Sequence, residues 1–285
     1  MAANSCRRGW LTRSLAGVPY SGHATSKGWF ERISRAQRHR IRQLGVTISG
    51  WPVWSRPLRI AFLSDLHTGS HADDVARLNA IVAEASLFRP DVVLLGGDYV
   101  NLQPLGGGRV PPRMIATALS EFKPALGCFA ILGDHDHVYG KSEVAEALIA
   151  RGLDVIDGEQ RTIRYEGQTI SLLGIPRPCP TAETRDRLHR LSQSTPTIVL
   201  THDPAWFVDV PPGPILTLAG HTHGGQIALP KFGPVINCSK APLRWSSGLT
   251  IEGNRRLFTT TGIGTSGIPF RWNAPPEFVI LDVSG

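Results

Sequence analysis

The chain has 285 residues and is 41% hydrophobic, enough for one large domain or two small ones with a substantial core. Its four cysteines, Cys6, Cys128, Cys179 and Cys238, lie far apart and form no CxxC pair. That argues against a disulfide scaffold or a cysteine zinc cluster and reads as reduced thiols in a cytoplasmic protein. The net charge of +7 is uneven: residues 1–59 carry eleven Lys or Arg against the single acid Glu31, and the rest carries nineteen against twenty-two acids. The basic character therefore belongs to an N-terminal arm, and the body lacks the electrostatic footprint of a nucleic-acid groove.

In chain order, residues 1–57 show no strand pattern and are read as a basic N-terminal extension. Within it, 28–44 (GWFERISRAQRHRIRQL) sets Trp29, Phe30, Ile33, Ile41 and Leu44 among arginines, a pattern that suits a short basic helix. Two readings stand for this arm: a helix lying peripherally on an anionic inner-membrane surface, or a solvated or packed extension, with the second slightly favoured. No run approaches the roughly eighteen apolar residues of a membrane span. Arg7-Arg8 lacks the apolar stretch that a secretory signal would place after it.

From residue 58 strands and helices alternate. LRIAFL reads as a strand, 73–88 as a helix, DVVLLGG as a strand, 111–122 as a helix and CFAIL as a strand. A helix at 141–151, a strand near 153–157, strands at 161–165 and 169–175, a helix at 183–192 and the strand TIVLT follow. The remainder is strand and turn: PILTLAG, QIALP, GLTIEG, RRLFTTTG and EFVILDV. Alternating units followed by a strand-rich half predict one domain over 58–285, a four-layer α/β sandwich of two mixed β-sheets with outer helices.

Seven metal-ligand residues fall where predicted strands end: Asp65 and His67 in SDLH, Asp98 in GGDYV, Asp134 in GDHD, His202 in THD, and His221 and His223 in GHTHGG. Taken singly, each reads as an ordinary turn residue; five deliveries to one sheet edge read as a metal site. On a continuing strand Asp65 and His67 would share a face, and His221 with His223 repeats the spacing. Asp98 follows Gly96-Gly97, where the backbone can approach a ligand closely, and its two carboxylate oxygens suit a bridge between cations. Seven ligands are too many for one ion and suit two, and mixed carboxylate and imidazole favours Mn, Fe or Zn over Mg or Ca. Such a pair clamps the oxygens of a phosphoryl transfer and lowers the pKa of bound water.

The order and wording of these motifs resemble the calcineurin-like metallophosphoesterases, from about residue 58 to the C-terminus. The stretch from GHTHGGQ to GIGTSGIPFRWNAPPEFVILDV looks like the bacterial YaeI-type branch, which includes enzymes that hydrolyse UDP-2,3-diacylglucosamine. The resemblance implies one ion on Asp65, His67, Asp98 and His223, and a second on Asp98, Asp134, His202 and His221. It implies that His135 contacts the phosphate and protonates the leaving oxygen, which leaves poorly without a proton. In that family a carboxylate three residues after the GGD aspartate often orients this histidine; the position here is Asn101. The family also usually has Asn where this chain has Asp134. Asp is the better metal ligand but donates no hydrogen bond when ionised and removes one positive charge from the centre. Tighter metal binding and weaker phosphate stabilisation are expected.

The function expected is metal-dependent hydrolysis of a phosphodiester or pyrophosphate. The alternatives are a nuclease of the same superfamily, which the near-neutral body disfavours, and a non-catalytic metal-binding scaffold, for which Asp134 is the one support. No specific nucleic-acid partner is expected. His71, His137 and His189 read as solvated, Asp136 as a bystander, and Asp203 equally as an orienting group or a turn residue. The Gly-rich 105–109 has no nucleotide-loop pattern and reads as a flexible loop. Trp245, Phe270, Arg271 and Trp272 are read as core or lid packing.

Overall fold

The computed structural model describes residues 36–71, 74–103, 108–177, 182–191 and 195–285. Two six-stranded sheets carry the fold. The first contains β1 (Arg40–Thr47), β2 (Leu58–Leu63), β3 (Val92–Leu95), β4 (Cys128–Ala130), β5 (Asp154–Val155) and β14 (Glu277–Ser284), in the spatial order β1-β14-β2-β3-β4-β5. The second contains β6 (Gln160–Tyr165), β7 (Gln168–Ile175), β8 (Thr197–Thr201), β9 (Ile215–Ala219), β12 (Gly248–Glu252) and β13 (Arg255–Thr259), ordered β12-β13-β9-β8-β7-β6. β2 to β5 run parallel, as do β7, β8, β9 and β13; β14 is antiparallel to β2 but parallel to β1, and β6 and β12 are antiparallel to β7 and β13, so both sheets are mixed.

Alternation along each strand makes the layers, because successive side chains leave opposite faces. Ile60, Phe62 and Leu94 meet Ile198, Leu200 and Leu218 in the core between the sheets. The other face of the first sheet, with Leu63 and Leu95, packs on helices α1 (Asp74–Ser86), α2 (Pro112–Leu119) and α3 (Asp134–Ile149) through Leu78, Ile115 and Val144. The outer face of the second sheet is covered by Leu188 of α4 (Ala182–His189) and by Phe207 and Trp245 of two short 3-10 turns. Each such residue, fully buried, contributes about 1.5–3 kcal/mol of transfer free energy. The four-layer expectation therefore holds, with a thin fourth layer.

Two expectations fail. The helix read over 28–44 lies outside the described residues as far as Arg35, and its end is strand: Arg40–Thr47 pairs in parallel with the whole of β14. Val46, Ile48 and Trp51 are buried in the inter-sheet core, so the packed body begins well before residue 58. Separately, α3 starts at Asp134 rather than near 141, and Gly140 (φ 154°) interrupts it, which hid the first turn from a periodicity argument. The hairpin strand β11 (Gly233–Pro234), paired with β10 (Ala228–Leu229), was also not anticipated. Among the described residues no helix is long and apolar enough to cross a membrane.

Candidate metal centre

The carboxyl ends of β2, β3, β4, β8 and β9 point to one edge of the sandwich. The structure brings all seven predicted ligands together there, in two clusters. Asp65, His67 and His223 form one; Asp98, Asp134, His202 and His221 form the other. Asp98 stands between them. Its Oδ2 lies 3.4 Å from His67 Nε2 and 3.3 Å from His202 Nε2, while its Oδ1 accepts the His135 N–H at 2.9 Å. His67 Nε2 and His223 Nε2 are 3.1 Å apart. Asp134 Oδ1 is 3.2 Å from His202 Nε2 and 3.1 Å from His221 Nδ1.

The paired spacings do not arise from continuing strands, as the sequence reading had it. Asp65, His67, Asp98, His221 and His223 all have left-handed backbones, with φ of 53°, 39°, 57°, 69° and 51°. Such conformations are costly for non-glycine residues and persist where the surroundings over-determine them. Close approach does the rest: a Cβ on Gly133 would collide with Asp98 Oδ1, and one on Gly220 with Asp65 Oδ2. Asp65 in turn accepts the His221 N–H with both oxygens, at 2.9 and 3.0 Å, fixing the loop that carries both histidines.

Backbone carbonyls set the ring tautomers. His202 Nδ1 donates to Gly96 O at 2.7 Å, and His221 Nε2 faces Cys238 O at 3.1 Å. The opposite nitrogens, His202 Nε2 and His221 Nδ1, then turn lone pairs toward Asp98 and Asp134. Neither His202 Nε2 nor Asp134 Oδ1 makes a well-formed hydrogen bond, although both atoms are buried. Acceptors converging in this way suit a cation, a proton or a metal ion. Burial opposes a proton on His202, but Asp98 and Asp134 outweigh it and push its pKa well above the ordinary imidazole value. Burial likewise opposes charge on Asp134, and His202 and His221 hold its carboxyl well below the usual range. A divalent ion satisfies the same lone pairs, so the residues fit a metal. In the other cluster burial, then His135, lowers His67 to about 3, and burial, His67 and Arg271 keep His223 neutral.

Several contributors had not been assigned a role. Asp136, read as a bystander, is fully buried and accepts the N–H groups of Asp98, Tyr99, Val100 and Gly133 at 2.8–3.3 Å. Burial and the Asp98 charge push its carboxyl up to about 8, against the pull of those donors. Arg271, set aside as packing, is buried behind His223 with Nη2 3.0 Å from Nδ1, held by the carbonyls of Thr261, Gly264 and Ala274. Arg177 escaped notice altogether. Its guanidinium lies 3.7 Å from Asp134 Oδ1, 3.1 Å from His221 Nε2 and 3.1 Å from Asp203 Oδ2. Asp203 caps the turn through the Ala205 N–H, as the turn reading has it; among the described residues it hydrogen-bonds no ligand histidine and instead anchors Arg177 beside His221.

Asn101 does not orient His135: it bridges Gly69 O and Gly108 O and accepts from the Gln103 N–H. His135 instead stands edge-on to His67, with ring centroids 4.5 Å apart, and its Nε2 is 3.3 Å from Ser266 Oγ. His71, expected in solvent, is buried. His137 sits partly exposed on α3, 3.8 Å from Asp157, while His189 is exposed on α4 as expected. Residues 105–107 of the Gly-rich loop, like Cys6 and Cys179, lie outside the described residues.

Comparison with known proteins gives the family. Residues 58–225 match the family model for calcineurin-like phosphoesterases, and the chain belongs to that family of hydrolases, whose members use a dinuclear divalent metal centre. It is 29% identical to "Phosphodiesterase YaeI" of Escherichia coli (strain K12), over 97% of this chain and 98% of that one. It is 25% identical to the uncharacterized metallophosphoesterase YkuE of Bacillus subtilis (strain 168), over 96% of each. Among solved structures, NAD nucleotidase (NadN) of Haemophilus influenzae superposes with a TM-score of 0.47 at 13% identity, covering 72% of this chain and 45% of that one.

Proposed function

We propose that the chain hydrolyses a phosphodiester or pyrophosphate bond with a pair of divalent cations, Mn, Fe or Zn, and that its substrate is a lipid-linked nucleotide such as UDP-2,3-diacylglucosamine. The observation that carries the reading is Asp98, whose single Oδ2 lies within 3.4 Å of an imidazole from each donor cluster. Asp65, His67, Asp98 and His223 would hold one ion, and Asp98, Asp134, His202 and His221 the other. When bound, the ions supply Lewis acidity that lowers the pKa of water and offsets charge on the phosphoryl oxygens.

The chain's own residues do the rest. Gly96 O and Cys238 O keep the second cluster's lone pairs aimed inward, so those rings need no reorientation as charge develops. Asp136 and Gly133 lock the loop of Asp98. His135 follows directly on Asp134 and stands at the rim between His67 and Ser266, placed to hand a proton to the leaving oxygen. The phosphodiester preference draws on the YaeI relative, and the lipid-linked nucleotide on the C-terminal motif.

The test is turnover of bis-p-nitrophenyl phosphate and of p-nitrophenyl phosphate by the manganese-loaded chain. Diester turnover about tenfold or more above monoester is expected, together with loss of both on Asp98→Asn. Monoester preference would overturn the diester assignment. A protein that binds two ions and turns over neither ester, nor UDP-2,3-diacylglucosamine, would be a metal-binding scaffold.

A further inference from the structure

We propose that the β10–β11 hairpin and the 267–273 loop beside it form a docking face for an anionic lipid bilayer at the mouth of the metal centre. This goes beyond the hydrolytic reading and stands on different observations. Phe232, Ile236 and Val235 are 86%, 74% and 56% exposed, and Trp272, Leu229 and Phe270 add 47%, 40% and 39%. Apolar side chains gathered to this degree at one place mark an interaction site rather than ordinary surface scatter.

The face is built on a braced frame. Ala228 pairs with Pro234 and Leu229 with Gly233, and the hairpin is tied to the neighbouring loop by Ala228 N–H to Trp272 O at 2.9 Å and Trp272 N–H to Gln226 O at 3.0 Å. The tip therefore holds its apolar groups outward instead of folding them back.

Charge selects the partner. Lys231 in the hairpin turn and Lys240 after it have no acid between them and no ion pair among the described residues, while Arg244 beyond them is paired with Glu252 at 3.0 Å. A cavity of about 380 Å³ separates the hairpin from β1, with Arg40, Arg42, Lys231 and Asn273 in its walls. Glu277, its one acid, is buried and bound to Arg42 Nε at 2.8 Å. Arg40 and Lys231 are exposed and have no ion pair among the described residues. An apolar finger flanked by unpaired cations and a cavity of headgroup size fits the acyl and phosphate layers of an anionic membrane surface. A second copy related by a two-fold axis would set these cations against themselves, which disfavours self-association through this face. The segment before β1 is tied to the same loop: Gln37 Nε2 donates to Arg271 O at 2.6 Å.

The same segments touch the catalytic rim. Gln226 Oε1 accepts the Ser266 N–H at 2.9 Å, Ser266 Oγ is 3.3 Å from His135 Nε2, and Cys238 O faces His221. A phosphoester whose acyl chains stay in the bilayer would thus be presented beside His135 without leaving the membrane.

Sedimentation of the full chain with phosphatidylcholine vesicles, with and without about 30% phosphatidylglycerol, tests this. Binding is expected only to the anionic vesicles. It should weaken by about tenfold or more in a Phe232→Asp, Ile236→Asp double variant and in Lys231→Glu, with bis-p-nitrophenyl phosphate turnover unchanged. Phe232→Leu should retain it, and Lys231→Glu decides the matter if the double variant does not fold. No binding by the wild type, full binding by both variants, or a wild-type dimer that the double variant makes monomeric would each overturn the proposal. An inactive Asp98→Asn chain should bind vesicles as the wild type does, which separates this inference from the hydrolytic one.

Discussion

The two sheets contribute different chemistry to the edge they share. The first supplies every carboxylate, Asp65, Asp98 and Asp134, together with His67 and His135; the second supplies imidazoles alone, His202, His221 and His223. Neither half makes a metal site by itself. Each cluster draws from both sheets, His223 joining Asp65 and His67, and His202 and His221 joining Asp98 and Asp134. An ion in either cluster would therefore also cross-link the sandwich, and the inter-sheet core around Phe62 and Leu200 would feel its removal.

Asp98 offers the sharpest way to break that division, because it faces imidazoles from both sheets. Asp98→Asn should lower diester turnover by about 10³-fold or more. In the wild type, free metal at about a thousand times its Kd should stabilise the fold by about 4 kcal/mol, seen as a rise in thermal midpoint that chelation reverses. In Asp98→Asn most of that rise should disappear. His223→Ala should instead leave one ion bound by metal analysis, since the second cluster keeps all its members. If His223→Ala empties both positions, the clusters are not separable and the division fails.

Arg177 gives the next largest effect. Asp134 was expected to cost the centre a positive charge; a guanidinium 3.7 Å from Asp134 Oδ1 faces it, held by the closer Asp203 at 3.1 Å, so the arginine offsets Asp134 locally without changing the net charge. Arg177→Met should lower kcat/KM by about 10–100-fold. In an Asp134→Asn background the same change should cost much less, a coupling of about 1–2 kcal/mol. Equal losses in both backgrounds would show that the arginine acts independently of Asp134.

What was legible in the sequence divides along similar lines. β2, β3, β8 and β9 are almost wholly buried, so each appears as a largely apolar run, and the structure gathers the Asp and His residues that follow them at one edge. β1 was not legible because it is an edge strand with only Val46 buried among its eight residues, and its arginines imitate a basic helix. The left-handed backbones were hidden because Asp and His give no sign of them in a sequence. Asp136 carried a readable signal, an acid two residues past Asp134, but its four amide partners come from two loops that only the fold brings together. Arg177 carried none, since it lies in the connection after β7, far from every motif.

The smallest expected effect lies in the first sheet, on a histidine outside the metal centre. His71 follows β2 and is buried against Ser70 and Asp74. Burial, then the charges of Arg77 and Arg271, lower its pKa to about 3 from an ordinary 6.5. A folded-state pKa below the unfolded value means that the unfolded chain takes up the proton first. The stability is then fully present above pH 6.5 and falls as the pH drops toward 3. Between pH 6.5 and 5.5 this one group should cost about 1 kcal/mol. His71→Gln should flatten the wild-type decline in unfolding free energy, read from urea denaturation, by that amount over that interval, whatever its effect on stability at pH 8. A parallel decline in wild type and variant would place the acid sensitivity elsewhere and leave the two sheets alike in their response to pH.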